Sequence, residues 1–274
     1  DCAYCPNRAD RDIPRIRFSA EELAGLFMEF YRRNYVEGLF LSSGVWRSTA
    51  STMDEMIKVA ALLRNKYRFG GYIHLKILPG TGDSEIEAAT GLADRISLNM
   101  EAPSAEHLAC LSKAKRFGAD ILGSMAKIGK HTMNRKDISH TTQYIVGAAR
   151  EKDCDILASA NNLYKSYNLK RAYFSAFQPI DQTPLDNLSA TPLLRENRLY
   201  QSDFLLRSYG FSFEELVFDL SGNLYQDLDP KIAFALTHPE LFPLEINKVP
   251  YQSLLRIPGI GPKSAAKIVQ VRRS

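Results

Sequence analysis

The sequence predicts an α/β protein: a partial (β/α)6 barrel, then a helical extension, then a short C-terminal helical hairpin. Three observations predict it. Short apolar runs alternate with amphipathic helical stretches from residue 19 to residue 177, giving five β/α repeats. Short strands joined by helices of that length pair in parallel through right-handed crossovers. After residue 186 the strand pattern stops, and aromatic- and leucine-rich helical stretches replace it. A strand before Cys2 would make six, so the first strand is expected to lie outside this sequence. The expected boundaries are 1–185 for the barrel, 186–245 for the helical extension and 246–274 for the hairpin.

The elements follow in order. Ser19 and Glu22 form a capping box, in which hydroxyl and carboxylate satisfy orphan amides reciprocally. The helix they open carries Leu23, Leu26, Phe27, Phe30 and Tyr31 at helical spacing and stops at Asn34. Residues 38–41 read as a buried strand, stopped by Ser42-Ser43-Gly44. Thr52 and Glu55 suggest a second capping box, with a helix to about residue 68. Residues 72–78 form the next strand, closed by Pro79-Gly80, and a helix covers 83–92. Residues 95–99 are a strand, and Ser104 caps a helix to about 117. Residues 142–146 are a strand and 153–167 a helix. Residues 172–177 are the last strand, ending at Gln178-Pro179. In the extension, helices are expected from residue 191 to 209, from 213, and from 231 to 238.

In a barrel of this kind, polar residues at the C-terminal strand ends line the site. Those positions hold Ser42, Ser43 and Gly44, then Lys76, Asn99 with Glu101, Gln143 and Gln178. Together they predict a pocket. Among the remaining residues, Cys110 is expected in the core beside Leu108 and Leu111. His74 reads as a pocket or core histidine. His131 and His140 are expected to flank a basic loop, and Trp46 to border the pocket or pack.

Composition sets limits. Across 274 residues the chain is 45% hydrophobic, enough for a sizeable core. The net charge of +4 permits a nucleic-acid partner without requiring one. The basic residues cluster: Arg8, Arg11, Arg15 and Arg17; Lys127, Lys130, Arg135 and Lys136; Lys263, Lys267, Arg272 and Arg273. Such clusters are ordinarily solvated faces. Four cysteines are too few for a disulfide scaffold, and a reducing, cytoplasmic setting is expected. No apolar run reaches the ~18 residues of a membrane span.

In the hairpin, Gly259 and Gly261 allow a tight turn with exposed backbone. Pro262 suits the first turn of the second helix. That helix start points amides at an anion site, and Lys263 adds charge beside it. The run Ile257-Pro258-Gly259-Ile260-Gly261-Pro262-Lys263-Ser264-Ala265-Ala266-Lys267-Ile268 resembles the helix-hairpin-helix motif. That resemblance implies nucleic-acid backbone contacts at Gly259, Ile260, Gly261, Lys263 and Ser264. Contacts of this type position a protein without reading sequence. A protein-docking or purely structural hairpin is the alternative.

Cys2 and Cys5 form a C-x2-C pair with Tyr4 between them. Four readings are open. Zinc needs four ligands, and neither a second pair nor suitably spaced histidines are present. A thioredoxin-like pair needs a helix straight after it, and the Arg- and Pro-containing stretch does not resemble one. The thiols are otherwise inert, or they ligate an iron–sulfur cluster, for which three thiolates leave one iron open.

The segment Cys2-Ala3-Tyr4-Cys5 resembles the end of the C-x3-C-x2-C signature of the radical SAM superfamily. Its first cysteine is then expected three residues before Asp1. The resemblance implies a partial radical SAM barrel, a 4Fe-4S cluster on Cys2 and Cys5, and S-adenosyl-L-methionine (SAM) as cofactor. It implies that Tyr4 occupies the family's aromatic position. Ser42-Ser43-Gly44 stands where the family binds the SAM amino group, with serines in place of the usual Gly-Gly-Glu. Asn99 and Glu101 fall where the ribose and methionyl end are contacted, and Lys76 where the carboxylate is met. Gln143 and Gln178 fall near adenine or substrate.

More narrowly, the chain resembles the DNA modification/repair radical SAM proteins. Leu39-Phe40-Leu41-Ser42-Ser43-Gly44-Val45, Leu98-Asn99-Met100-Glu101-Ala102-Pro103, residues 191–201 and the terminal hairpin carry that likeness. It implies SAM cleavage to a 5′-deoxyadenosyl radical that takes a hydrogen atom from a nucleotide. The implied partners are DNA, a uracil-DNA-glycosylase-like protein and an electron donor such as flavodoxin or ferredoxin. The alternatives are a radical enzyme acting on RNA or protein, with the hairpin as docking module, and a non-catalytic DNA-binding adaptor.

Overall fold

The computed structural model describes residues 2–272. Its centre is one five-stranded parallel sheet in the sequential order β1-β2-β3-β4-β5. The strands are β1 (Gly38–Leu41), β2 (Tyr72–Lys76), β3 (Arg95–Ser97), β4 (Ser139–Val146) and β5 (Arg171–Ala176). Each pairs in parallel with the next, so each crossover returns the chain to the same edge direction. The C-terminal strand ends therefore gather at one mouth.

The crossover helices are α1 (Ala20–Arg32), which leads into β1, α2 (Thr49–Ala61), α3 (Asp83–Leu92), α4 (Ala105–Leu111), α5 (Gly123–Thr132) and α6 (Asp153–Ser166). α1 starts on the expected box: Ser19 Oγ accepts from the Glu22 amide, and the Glu22 carboxylate accepts from the Ser19 amide. It ends at Arg32, capped by Arg33, and Asn34 follows at φ 58°, close to the expected stop. The buried core runs from Ala24 and Phe27 on α1, through Ile73, Leu75, Ile96 and Leu98, to Phe174 and Leu199. Below the sheet, Asp94 accepts from the Ile73 amide at 2.7 Å and from Arg64 at 2.8 Å. Arg64 also donates to the carbonyls of Phe69, Gly71 and Leu92, closing the N-terminal ends of β2 and β3.

Several expectations are corrected. The second helix begins at Thr49, because Ser48 supplies an earlier cap: Ser48 Oγ and Ser51 Oγ each accept from the other's amide. The helix capped by Ser104 ends at Leu111, well short of 117. There Ser112 turns extended to pair with Cys2, and the Ala3 amide donates to Leu111 O at 2.7 Å. Between His131 and His140, residues 133–138 do form a loop; ahead of it lie a π-helical turn, Phe117–Leu122, and α5, which the sequence reading did not place, and His140 lies inside β4. Gly129 hides α5 from a propensity reading, yet a Cβ there would sit 2.9 Å from Tyr167 O, so close packing selects the glycine. Cys110 is exposed, because only Leu108 and Leu111 of short α4 face the core.

Beyond β5 lie α7 (Leu193–Ser208), a 3-10 turn (Phe213–Glu215) where a longer helix was expected, α8 (Pro230–Thr237) and a 3-10 turn (Pro239–Leu241). α7 locks to the sheet through Tyr200, whose hydroxyl accepts from the Phe174 amide and donates to Phe174 O at 3.0 Å. Arg195 ties its start to buried Asp153 of α6, and near its end Arg207 pairs within the helix with buried Asp203, which also accepts from Tyr164 of α6. The chain closes with α9 (Tyr251–Leu254), a glycine turn and α10 (Pro262–Val271). This pair has a small core of its own, Leu254, Leu255 and Ala265. No helix among the described residues is long and apolar enough to cross a membrane.

Candidate active site at the mouth of the sheet

The cysteine loop is tied to the mouth by backbone and side chains together. Cys2 bridges Ser112, the Cys5 amide donates to Cys2 O at 3.1 Å, and both thiols are free. Tyr4 turns inward, its hydroxyl facing the Glu101 carboxylate and the Cys2 sulfur. Burial, then Glu101, then Cys2, push the Tyr4 phenol well above its ordinary value, so it stays protonated.

Glu101 is the hub. It is 4% exposed and sits at φ 65°, a left-handed conformation uncommon for a side-chain-bearing residue. It continues the sheet past β3: its amide donates to Gln143 O at 3.0 Å, and its carbonyl accepts from the Ile145 amide at 2.9 Å. Lys115 donates to Glu101 Oε1 at 2.9 Å, and Asn99 Nδ2 donates to Oε2 at 3.4 Å. Burial pulls the Lys115 ammonium down, but Glu101 and then Cys2 outweigh it, and its pKa is raised. Lys76, at the end of β2, goes the other way. Burial lowers it, Glu101 opposes and Lys115 reinforces. Ser112 Oγ is buried here without a hydrogen-bond partner among the described residues.

The other sequence-derived candidates are placed as follows. Ser42, Ser43 and Gly44 are exposed in the loop after β1, with Ser43 Oγ donating to Gly44 O at 2.7 Å. Gln143 is half-buried on β4 beside Glu101. Gln178 is exposed after β5 and donates to Thr191 O at 3.3 Å, away from the Glu101 hub. His74 bonds Ser97 Oγ at 2.8 Å, and burial, with Arg95 and Lys76 behind it, pulls its imidazole down to about 4. A cleft lies outside the mouth, between Pro192, Arg195 and the turn carrying Asp219 and Leu224.

Two contributors escaped the sequence reading. Lys115 and Ser112 sit in an irregular turn, where no periodicity or motif marks them. Only the pairing of Ser112 with Cys2 brings that turn to the mouth.

The donor set fits an iron–sulfur cluster in part. Two free thiols converge on a mouth that also carries two half-buried lysines, Lys76 and Lys115. No group of three potential ligands occurs among the described residues, so a cluster needs a further thiolate.

In the hairpin, Gly259 takes φ 81° at the turn. Lys231 donates to Ile260 O at 2.6 Å from below, and burial pulls its ammonium down to about 8. Arg256 pairs with Glu215 at 2.8 Å and donates to Gly210 O, docking the hairpin against the end of α7. Lys263 and Ser264 are exposed in the first turn of α10.

The fold matches solved structures. The FeFe-hydrogenase maturase HydG from Carboxydothermus hydrogenoformans superposes with a TM-score of 0.60 at 13% identity, over 75% of this chain and 48% of its own. A second structure of HydG, a maturase of the [FeFe]-hydrogenase, gives 0.58 at 13% identity over 75% and 46%. Methylornithine synthase, PylB, gives 0.59 at 13% identity, over 86% of this chain and 64% of its own. The chain thus spans roughly half to two thirds of the length of these structures. No family model and no curated protein sequence matches it. At this identity the likeness defines the fold alone: a β/α barrel built on a parallel sheet, as in these three structures.

Proposed function

We propose that this protein is a radical SAM enzyme that acts on nucleic acid, with DNA modification or repair as its role. The observation that carries the chemistry is the cysteine pair at the mouth of a radical SAM-type barrel, joined through Tyr4 to Glu101 and Lys115. Cys2 and Cys5 would hold a 4Fe-4S cluster with a third thiolate that the signature places before Asp1. When bound, the cluster supplies the electron that cleaves SAM to a 5′-deoxyadenosyl radical.

The chain's own residues prepare that site. Lys115 and Lys76 supply positive charge beside the thiolates. Tyr4 packs the loop down and excludes water between the cysteines and Glu101. Glu101, Asn99 and Lys76 present a carboxylate, an amide and an ammonium for the ribose, methionyl and carboxylate groups of SAM. Ser42, Ser43 and Gly44 would meet its amino group and Gln143 adenine or substrate, while Gln178, bonded to Thr191 O, would reach the substrate side only by leaving that bond. The open mouth admits a nucleotide that is flipped out or single-stranded. For the partner, support comes from the hairpin: a glycine turn ahead of a Pro-Lys-Ser helix start offers amides and charge to a backbone phosphate. An external donor such as flavodoxin or ferredoxin would reduce the cluster, and a uracil-DNA-glycosylase-like protein would act alongside.

Anaerobic reconstitution of the full-length gene product tests this. About four irons and four sulfides per chain are expected, with 5′-deoxyadenosine released on reduction and released faster with DNA. A chain that binds no cluster overturns the chemistry. SAM cleavage without DNA binding at low salt redirects the substrate to RNA or protein.

A further inference from the structure

We propose that Arg17, Trp46 and Arg47 form a phosphate clamp at the rim of the mouth, taking the sugar–phosphate backbone of a single nucleic-acid strand. The proposal rests on the nucleic-acid reading above and names the surface that guides the strand to the site.

The guanidinium carbons of Arg17 and Arg47 lie 3.4 and 4.1 Å from the centre of the Trp46 ring. Two planar groups that close to one ring centre do not fit on one face, so they sandwich the indole. Stacking anchors each guanidinium by its face and leaves its N–H edges free. Neither donates a hydrogen bond to protein or meets a carboxylate among the described residues, and both residues are exposed. The neighbouring arginines behave differently. Arg8 pairs with Asp10, Arg11 donates to Pro6 O, and Arg15 donates to Arg8 O at 2.7 Å and Arg11 O at 2.9 Å. Those three knit the loop together, whereas Arg17 and Arg47 keep their donors for a ligand.

The platform is rigid. The Trp46 amide donates to Thr52 Oγ1 at 2.8 Å, and Trp46 O accepts from Thr52 Oγ1, Ser51 Oγ and the Ser48 amide. Arg47 is fixed at φ 58° between Trp46 and the Ser48 cap. The clamp also sits at the correct end of the sheet. Residues 42–48 follow β1, and Arg17 precedes α1, which runs back from the same end that carries Cys2. Ile16 and Val45, 83% and 61% exposed, flank the pair with apolar surface suited to sugars and bases.

A guanidinium edge binds phosphate bidentately, which a lone lysine charge does not. Two such edges held apart by one ring offer the repeated anion spacing of a polynucleotide. Trp46 is also the single tryptophan of the chain, so its emission reports this site alone.

The test titrates the full chain with oligo-dT across a salt series, following both anisotropy and Trp46 emission. Binding should change the emission, and poly-glutamate should compete poorly. Arg17→Ala/Arg47→Ala should abolish the emission change and flatten the log–log salt slope by about 1.4, at ~0.7 per phosphate lost on a single strand. Arg17→Lys/Arg47→Lys keeps the charge and should retain the slope while weakening binding. An unchanged slope and emission in a folded Ala variant, with binding still lost in a Lys263→Glu hairpin variant, overturns the clamp and leaves the nucleic-acid reading standing. Equal binding of poly-glutamate also overturns the clamp. Absence of any oligo-dT binding by the wild type at low salt overturns both.

Discussion

Glu101 shows how much one residue can gather. Its carboxylate is buried, and Lys115 is the cation that neutralises it. Removing one partner of such a pair strands the other charge, while removing both is far milder. Lys115→Met should therefore destabilise the fold by about 3 kcal/mol in chemical denaturation, and Glu101→Gln/Lys115→Met should recover much of that loss. A double variant as unstable as the single would refute the pairing argument. His140 gives a pH-dependent counterpart. It is 1% exposed, and burial pulls it down to about 4, opposed by the Tyr167 backbone, from an unfolded value of 6.5. Between those values the unfolded chain binds the extra proton, so stability is complete above pH 6.5 and falls as pH drops toward 4. The His140 share is on the order of 3 kcal/mol. His74 adds in the same direction. In thermal melts from pH 7 to pH 4, His140→Leu should show a visibly shallower loss than wild type.

At the scale of elements, the hairpin depends on its turn. Gly259 has open space around its Cβ position but φ 81°, so an alanine there meets backbone strain and no clash. Gly259→Ala should lower hairpin stability by about 1 kcal/mol and, under the proposed nucleic-acid role, weaken oligonucleotide binding with it. Gly261 is different: a Cβ would lie 3.2 Å from the Tyr209 hydroxyl, so Gly261→Ala should disturb the seat of the hairpin on α7. Nuclear magnetic resonance shifts of Tyr209 in the two variants separate the effects. Element types were largely legible in the sequence, because caps and periodicity are local. Ser19 with Glu22 and the run at 38–41 needed no tertiary information. α5 was not legible, since Gly123 and Gly129 weaken its helical signal and the packing against Tyr167 that selects Gly129 comes from a distant turn.

Across the whole molecule, one apolar core joins the sheet, the crossover helices and α7 to α8, while the hairpin has a separate small cluster. Cooperative stability follows contiguous core. Amides of α10 should thus exchange with solvent well before those of β2 to β4 in native-state hydrogen exchange. Equal protection would mean that the Arg256–Glu215 and Lys231–Ile260 contacts couple the hairpin fully to the barrel.

The sequence by itself determined the β/α alternation and the parallel order that follows from short strands and long crossovers. These depend on residue type and spacing within a few turns of chain. The tertiary structure alone decided which distant groups meet. Lys115 is wired to Glu101 because Cys2 pairs with Ser112 and draws that turn to the mouth. Arg17 and Arg47 share Trp46 because two loops from separate repeats end at the same rim. Such meetings are set by strand order and loop path, which no local pattern encodes.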